Sequence, residues 1–359
     1  MSSSTSGLDV AIGRRARAVR IALMLLVAVA LLEGVTRLVL MPASKDLSRY
    51  DTYAARARDL VAAPAPRVAL IGNSISERGV QLDMLRHEWQ AQTGTPLSVD
   101  MFIAYGSGVN TWYWMVAQDF WKQNIKPDLL ILTYHGSRLT DSNPMDIGSI
   151  AQFFTDTGDR SALFEHDLTT LEHRVDYLLS STSQTFATRD RIRERTLNLI
   201  PGYAAFTTAS NAVNFNHEQR RESQGPKATY TYRAFHRFVE RARLEGTQVC
   251  FVAFPMRPTE PDAVAYELES EVLDAISAAG MLHLDLRHMK GLSSAMYEDS
   301  FHLNAEGQPI YTRKLAEELA KVWPSRQSRS VAVGSSATGQ APVGILGNSL
   351  ALPHREIVR

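Results

Sequence analysis

The chain opens on a polar stretch that ends in a basic cluster, Arg14, Arg15, Arg17 and Arg20. Ile21 to Leu32 then follows without a polar side chain, and the apolar character continues past Glu33 to Met41, broken by Thr36 and Arg37. As a helix, residues 21–40 measure about 30 Å, enough to cross a bilayer. Glu33 and Arg37 stand four apart, so they can pair on one helix face or meet the headgroups. A cleaved signal peptide would need small residues just after the apolar run, and Glu33, Val35 and Arg37 stand there instead, so an uncleaved anchor is expected. Arginines crowd the near side of the run and only Lys45 and Arg49 follow closely. The positive-inside rule therefore places residues 1–20 in the cytoplasm, 21–41 in the membrane and the body outside.

Residues 42–66 are polar, charged and punctuated by proline, and they read as a stalk with one short helix near 51–62. From residue 67 apolar, β-prone runs alternate with helical patterns. The runs are 67–72, 97–104, 128–134, 247–254 and 281–286, and the helical patterns are 80–93, 111–123, 229–246, 264–279 and 305–323. Near-continuous apolar strands alternating with helices predict a parallel sheet covered on both faces, a three-layer α/β/α domain over 67–324. Between its third and fourth strands, residues 141–228 carry short helical patterns (150–155, 161–179, 186–199) and no strand alternation. They are expected to be a helical insertion above the strand ends. Residues 325–359, rich in Ser, Gly and Ala, read as a disordered tail.

Composition narrows the function classes. Lys plus Arg and Asp plus Glu each number 38, so no basic face for nucleic acid is indicated. The single cysteine, Cys250, excludes an intramolecular disulfide and a cysteine-based zinc site. The histidines His166, His173, His217 and His236 form no metal-site motif, and neither metal nor cofactor is expected.

Chemistry concentrates where strands end. Gly72-Asn73-Ser74-Ile75-Ser76 follows the first strand directly. A serine there lies at the ligand edge of a parallel sheet, beside helix N–H groups able to hold an oxyanion. The turn is not the G-x-S-x-G elbow, because Ser76 replaces the second glycine, and no phosphate-loop lysine follows. Near the other end, Asp299-Ser300-Phe301-His302-Leu303-Asn304 precedes the last helix. An Asp three residues before a His can bend back to hold Nδ1–H, leaving Nε2 outward as a base. Asn304 is placed to cap the final helix, and Pro309 fits if it lies in that helix's first turn.

Together, a serine after the first strand and Asp-x-x-His-Leu-Asn before the last helix resemble the SGNH, or GDSL-like, hydrolase superfamily over residues 67–323. The resemblance implies a five-stranded, flavodoxin-like parallel sheet. It makes Ser74 the nucleophile, His302 the general acid/base and Asp299 its orienting carboxylate. It also implies an oxyanion hole from the N–H of Ser74 and of a glycine in the loop Tyr105-Gly106-Ser107-Gly108-Val109-Asn110, Gly108 ahead of Gly106. Two positions depart from the family pattern. Asn73 replaces the usual aspartate of Gly-Asp-Ser, and the third block, normally Gly-x-Asn-Asp, reads Tyr134-His135-Gly136-Ser137-Arg138. Arg138 is expected either to donate to the oxyanion or to anchor the insertion. Asn73, Tyr105, Gly106, Asn110, His135 and Ser137 are candidates for contacting substrate.

Single-anchor members of this kind are similar to enzymes that add or remove acetyl groups on cell-envelope polysaccharides. The resemblance thus implies an O-acetyltransferase or acetylesterase on the extracytoplasmic side of the inner membrane. Its substrate would be an acylated glycan or other ester, and its partner a membrane-bound O-acyltransferase. A lipid esterase or thioesterase, and a non-catalytic glycan-binding protein of the same fold, are the rival readings. The aromatic run Trp112, Tyr113, Trp114, Phe120, Trp121 either stacks on sugar or packs on the sheet. The Arg-rich stretch 189–195 reads as a solvated helix face.

Overall fold

The structure is a computed structural model, and it describes residues 6–143, 145–203, 231–258 and 266–323. The predicted tail, residues 204–228 of the insertion, His217, and the starts of the helical patterns at 229 and 264 lie outside the described residues.

The first helix, α1 (Ser6–Val35), runs on through a π-turn over Thr36–Leu40. Two short helices follow, α2 (Lys45–Tyr50) and α3 (Tyr53–Ala62). The body then alternates: β1 (Arg67–Gly72), α4 (Ser74–Gly79), α5 (Leu82–Thr93), β2 (Ser98–Ile103), α6 (Val109–Val116) and β3 (Leu129–Tyr134). The insertion contributes α7 (Arg160–His166), α8 (Leu171–Thr182), α9 (Gln184–Ala187) and α10 (Arg189–Asn198). The chain closes with α11 (Arg233–Leu244), β4 (Val249–Ala253), α12 (Ser270–Ala278), β5 (Leu282–Asp285) and α13 (Gly307–Val322).

The five strands pair in parallel in the order β2-β1-β3-β4-β5. Every residue of β3 and β4 is buried, as expected of strands covered on both faces. Side chains alternate between two cores. Ala69, Ile71, Leu130, Leu132 and Phe251 face α3, α6 and α11. Val68, Leu70, Ile131, Cys250 and Val252 face α5 and α13. Strand order reverses between β1 and β3, so the crevice beyond their C-terminal ends is where such sheets place ligands.

The segment expected to be a stalk belongs to the body instead. Leu47, Tyr50, Tyr53, Ala57 and Leu60 are buried in the first of these cores. The Tyr53 hydroxyl accepts from the Ile103 N–H (2.8 Å) and donates to the Ile103 carbonyl (2.7 Å). Arg56 reaches Asp100 and the Met101 carbonyl. The free edge of β2 is thereby covered, as an exposed strand edge requires. Charge and proline hid this from the sequence, because the buried residues are few and lie on one stripe of two short helices.

The aromatic run is also settled. Trp112, Trp114, Phe120 and Trp121 are buried, with Trp114 bonded to Asp167 and Trp121 to Thr247. Tyr113 lies under the Arg237 guanidinium, 4.3 Å from its ring centre. These rings form core rather than a sugar platform. The arginines of 189–195 are not simply solvated either. Arg189 pairs with Asp176, Arg191 with Asp146, and Arg195 donates to the Ser44 hydroxyl.

Candidate active site

At the end of β1 the chain turns sharply into α4, and Asn73 caps that helix. Its side-chain oxygen accepts from the Ile75 N–H (3.1 Å), while its amide donates to the Ser107 carbonyl (2.9 Å). Asparagine is therefore chemically fitted to a place where aspartate would face a carbonyl with no proton to offer. Gly72 is required by close approach, since a Cβ there would lie 1.9 Å from the Ser76 hydroxyl.

Ser74 stands half-buried at the head of α4, and its Oγ lies 2.8 Å from His302 Nε2. His302 Nδ1 lies 2.7 Å from an oxygen of Asp299. The other Asp299 oxygen accepts from the N–H groups of Phe301 (2.9 Å) and His302 (2.8 Å). Partial burial would raise this carboxyl, but its bonds from His302 and the two N–H groups outweigh it and hold the group below the usual range. Below this loop Asn304 caps α13, accepting from Glu306 and Gly307, and Pro309 falls in the helix's first turn. Serine and histidine, 228 residues apart, meet at the switch point of the sheet.

The loop after β2 lies against the loop after β3. A Cβ on Gly108 would come within 2.6 Å of the Arg138 carbonyl and 2.8 Å of Asn143 Cγ, so only glycine lets the two loops meet. Gly106 has a left-handed backbone (φ +65°) and open space around it. Arg138 spans the gap. Its Nη1 donates to the Gly106 carbonyl (3.3 Å) and to Asn143 Oδ1 (3.1 Å), and its Nε approaches His135 Nε2 (3.5 Å). No carboxylate among the described residues pairs with it, and burial lowers its pKa. His135 is buried and its ring stacks on Phe301 (5.3 Å, 12° between planes). Burial, then the charges of Arg138 and His302, push it down to about 3, so it is a neutral acceptor and not a second base.

The other candidate contacts are largely committed to the protein. Asn110 is buried, with its amide on the Asn143 carbonyl and its oxygen on the Thr111 N–H. Ser137 is half-buried and its carbonyl accepts from the Thr140 N–H. The Tyr105 hydroxyl donates to Glu77 and accepts from Arg49 (3.5 Å), and Arg49 pairs with Glu77 (2.9 Å). Burial and Glu77 push this phenol up to about 12. Arg49 and Glu77 carried no signal in the sequence, because one lies in the segment read as a stalk and the other beside a more conspicuous serine. Asn143 was equally silent, nine residues beyond β3. Its amide bonds the Ser137 and Thr140 carbonyls, so it shapes the loop behind Gly108 rather than facing Ser74.

The fold that holds this site is a five-stranded parallel sheet, in the order β2-β1-β3-β4-β5, with helices on both faces. No family model and no curated protein matches the chain by sequence. Solved structures match it by shape, at low identity. An acetyl xylan esterase matches at 11% identity and a TM-score of 0.33, over 71% of this chain and 99% of its own. A Geobacillus acetyl-xylooligosaccharide esterase variant matches at 12% and 0.35, over 70% and 92%. An α/β hydrolase from the metagenome of Lake Arreo, Spain, matches at 12% and 0.35, over 72% and 96%. Likeness of this degree carries nothing about substrate or mechanism, which rest on the geometry of this site.

Proposed function

We propose that the protein is a serine acyl-ester enzyme, an O-acetyltransferase or acetylesterase acting on an extracytoplasmic polysaccharide. The observation that supports this reading is the unbroken line from Asp299 through His302 to Ser74, at 2.7 and 2.8 Å. Asp299 holds the imidazole with Nδ1 protonated, so Nε2 takes the Ser74 proton as Oγ attacks an ester carbonyl. The tetrahedral oxyanion is received by the N–H groups of Ser74 and Gly108, neither of which is used in the hydrogen bonds of the described residues. Arg138 stands in the block where the family asparagine is missing, and its Nη2 makes no hydrogen bond among the described residues, so it has two N–H donors to offer the same oxygen. His302 then protonates the departing alcohol, leaving an acyl-Ser74 ester. In the second half it deprotonates the acceptor, which attacks that ester and frees Ser74. Water as acceptor gives an esterase and a sugar hydroxyl gives a transferase.

Residues Arg17–Ala43 form a helix long and apolar enough to span a membrane, with its most apolar 18-residue stretch unburied. In this reading it is a single anchor with residues 1–20 on the cytoplasmic side and the body facing the periplasm of a bacterium, where a membrane-bound O-acyltransferase would supply the acyl group.

A fluorophosphonate probe tests the chemistry: it labels the wild type and not Ser74→Ala. An unlabelled wild type would turn the reading to a glycan-binding protein. Faster turnover of aryl acetates than of long-chain esters separates acetyl chemistry from a lipid esterase. Acetyl transfer to an added glycan, against release of free acetate, separates transferase from esterase.

A further inference from the structure

The insertion touches the anchor well below the point where the anchor ends. Glu33 receives the Ser183 hydroxyl (2.9 Å) and the N–H groups of Gln184 (2.8 Å) and Thr185 (3.1 Å), the first residues of α9, besides its pair with Arg37. Thr36 accepts from the Thr185 hydroxyl (2.9 Å) and is fully buried. From Val19 to Leu32, by contrast, every residue of the helix is exposed. A span of about 20 residues is needed to cross the hydrocarbon, and from Ile21 it ends at Leu40. Glu33 lies seven residues before Leu40, about 10 Å deeper along the helix. A carboxylate at that depth is costly unless the protein supplies its donors, and α9 does so. On the anchor reading, the end of α8 and all of α9 lie at the depth of the outer leaflet.

The surface there matches that depth. Leu171 (78% exposed), Val175 (45%), Leu178 (40%) and Leu179 (45%) form one exposed stripe of α8, while Tyr177 and Ser180 face inward. Leu179 is one helical turn from Ser183, the residue on Glu33. Leu199 and Ile200, just past α10, are also exposed. Outside the anchor, every exposed large apolar residue described belongs to the insertion except Leu244. An apolar patch of this kind marks an interaction surface, and its continuity with the bare anchor selects lipid as what covers it.

We propose that the insertion is a second membrane contact, with the apolar stripe of α8 lying in the outer-leaflet interface beside the anchor. The proposal rests on the anchor reading above. It can be tested with the full chain in nanodiscs of phosphatidylcholine and phosphatidylglycerol, carrying single nitroxide labels. Cys250 is fully buried and does not compete. Labels go at Leu26→Cys in the bare span, Val175→Cys and Leu179→Cys on the stripe, and Ala91→Cys on α5 as an exposed control. Spin relaxation by oxygen is compared with relaxation by an aqueous nickel chelate, and a melting curve confirms that each variant is folded. The expected result is several-fold stronger relaxation by oxygen at 175 and 179, as at 26, with the reverse at 91. Water-like behaviour at 175 and 179 with a lipid-like label at 26 overturns the proposal and leaves the stripe to a protein partner. Water-like behaviour at 26 overturns the anchor reading itself, and this proposal with it.

Discussion

Gly108 and Gly106 occupy the same loop but are glycines for different reasons, and substitution should separate them. Gly108→Ala drives a Cβ into the Arg138 carbonyl and the Asn143 side chain, so the loop must move and its N–H with it. The expected loss of kcat is about 10²-fold or more, of the order seen when one oxyanion donor is removed. Gly106→Ala meets no atom but strains a left-handed backbone, so it should cost about 1 kcal/mol of stability and little activity. Steady-state rates and melting curves on both variants check this. A second prediction concerns Asp119, which is buried, has one oxygen without a partner, and is pushed by burial up to about 7. Its folded pKa lies above its unfolded value of 3.8, so its penalty is absent below that value, grows through the window from there to about 7, and is complete above. Asp119→Asn should therefore raise stability at pH 8 by on the order of 4 kcal/mol and change nothing at pH 3.5. Denaturant titrations at the two pH values measure it, and an equal effect at both would contradict the burial argument.

Elements explain how the site is held. Helix α4 carries Ser74 and Glu77 one turn apart on the same side, and Glu77 joins Tyr105 of the second loop to Arg49 of α2. Helix α3, next along, closes the β2 edge through the Tyr53 hydroxyl and Arg56. Tyr53→Phe leaves the Ile103 N–H and carbonyl buried without that partner, at a cost of about 1–3 kcal/mol. The melting temperature should fall by ~5 °C while the kinetics stay close to wild type. A variant as stable as the parent would mean that α3 packs without needing the bond.

On the scale of the molecule, the boundary between anchor and body lies earlier than the charge pattern suggests. A chain beginning at Lys45 keeps α2, α3 and the Arg49–Glu77 pair. It should be folded and labelled by a fluorophosphonate. A chain beginning at Arg67 lacks Tyr53, Ala57 and Leu60, exposing the β2 edge and the core beneath it, and should aggregate or melt far lower. Size-exclusion chromatography and circular dichroism of the two truncations distinguish a body starting at 45 from one starting at 67.

Alternation of apolar runs with helical stretches was enough to place all five strands within two residues, and to announce a parallel sheet, because strands buried on both faces write their burial into consecutive positions. The local geometry at His302 was likewise legible, since Asp299, Phe301 and Asn304 act within a few residues of one another. What the chain does at long range was not. The meeting of Ser74 with His302, the fit of Gly108 against Arg138 and Asn143, the Arg49–Glu77–Tyr105 cluster and the hold of Glu33 on α9 all join residues far apart in sequence, or depend on a separation of a few tenths of an ångström. Periodicity reports which face of an element is buried, and only the packed fold decides what that face meets.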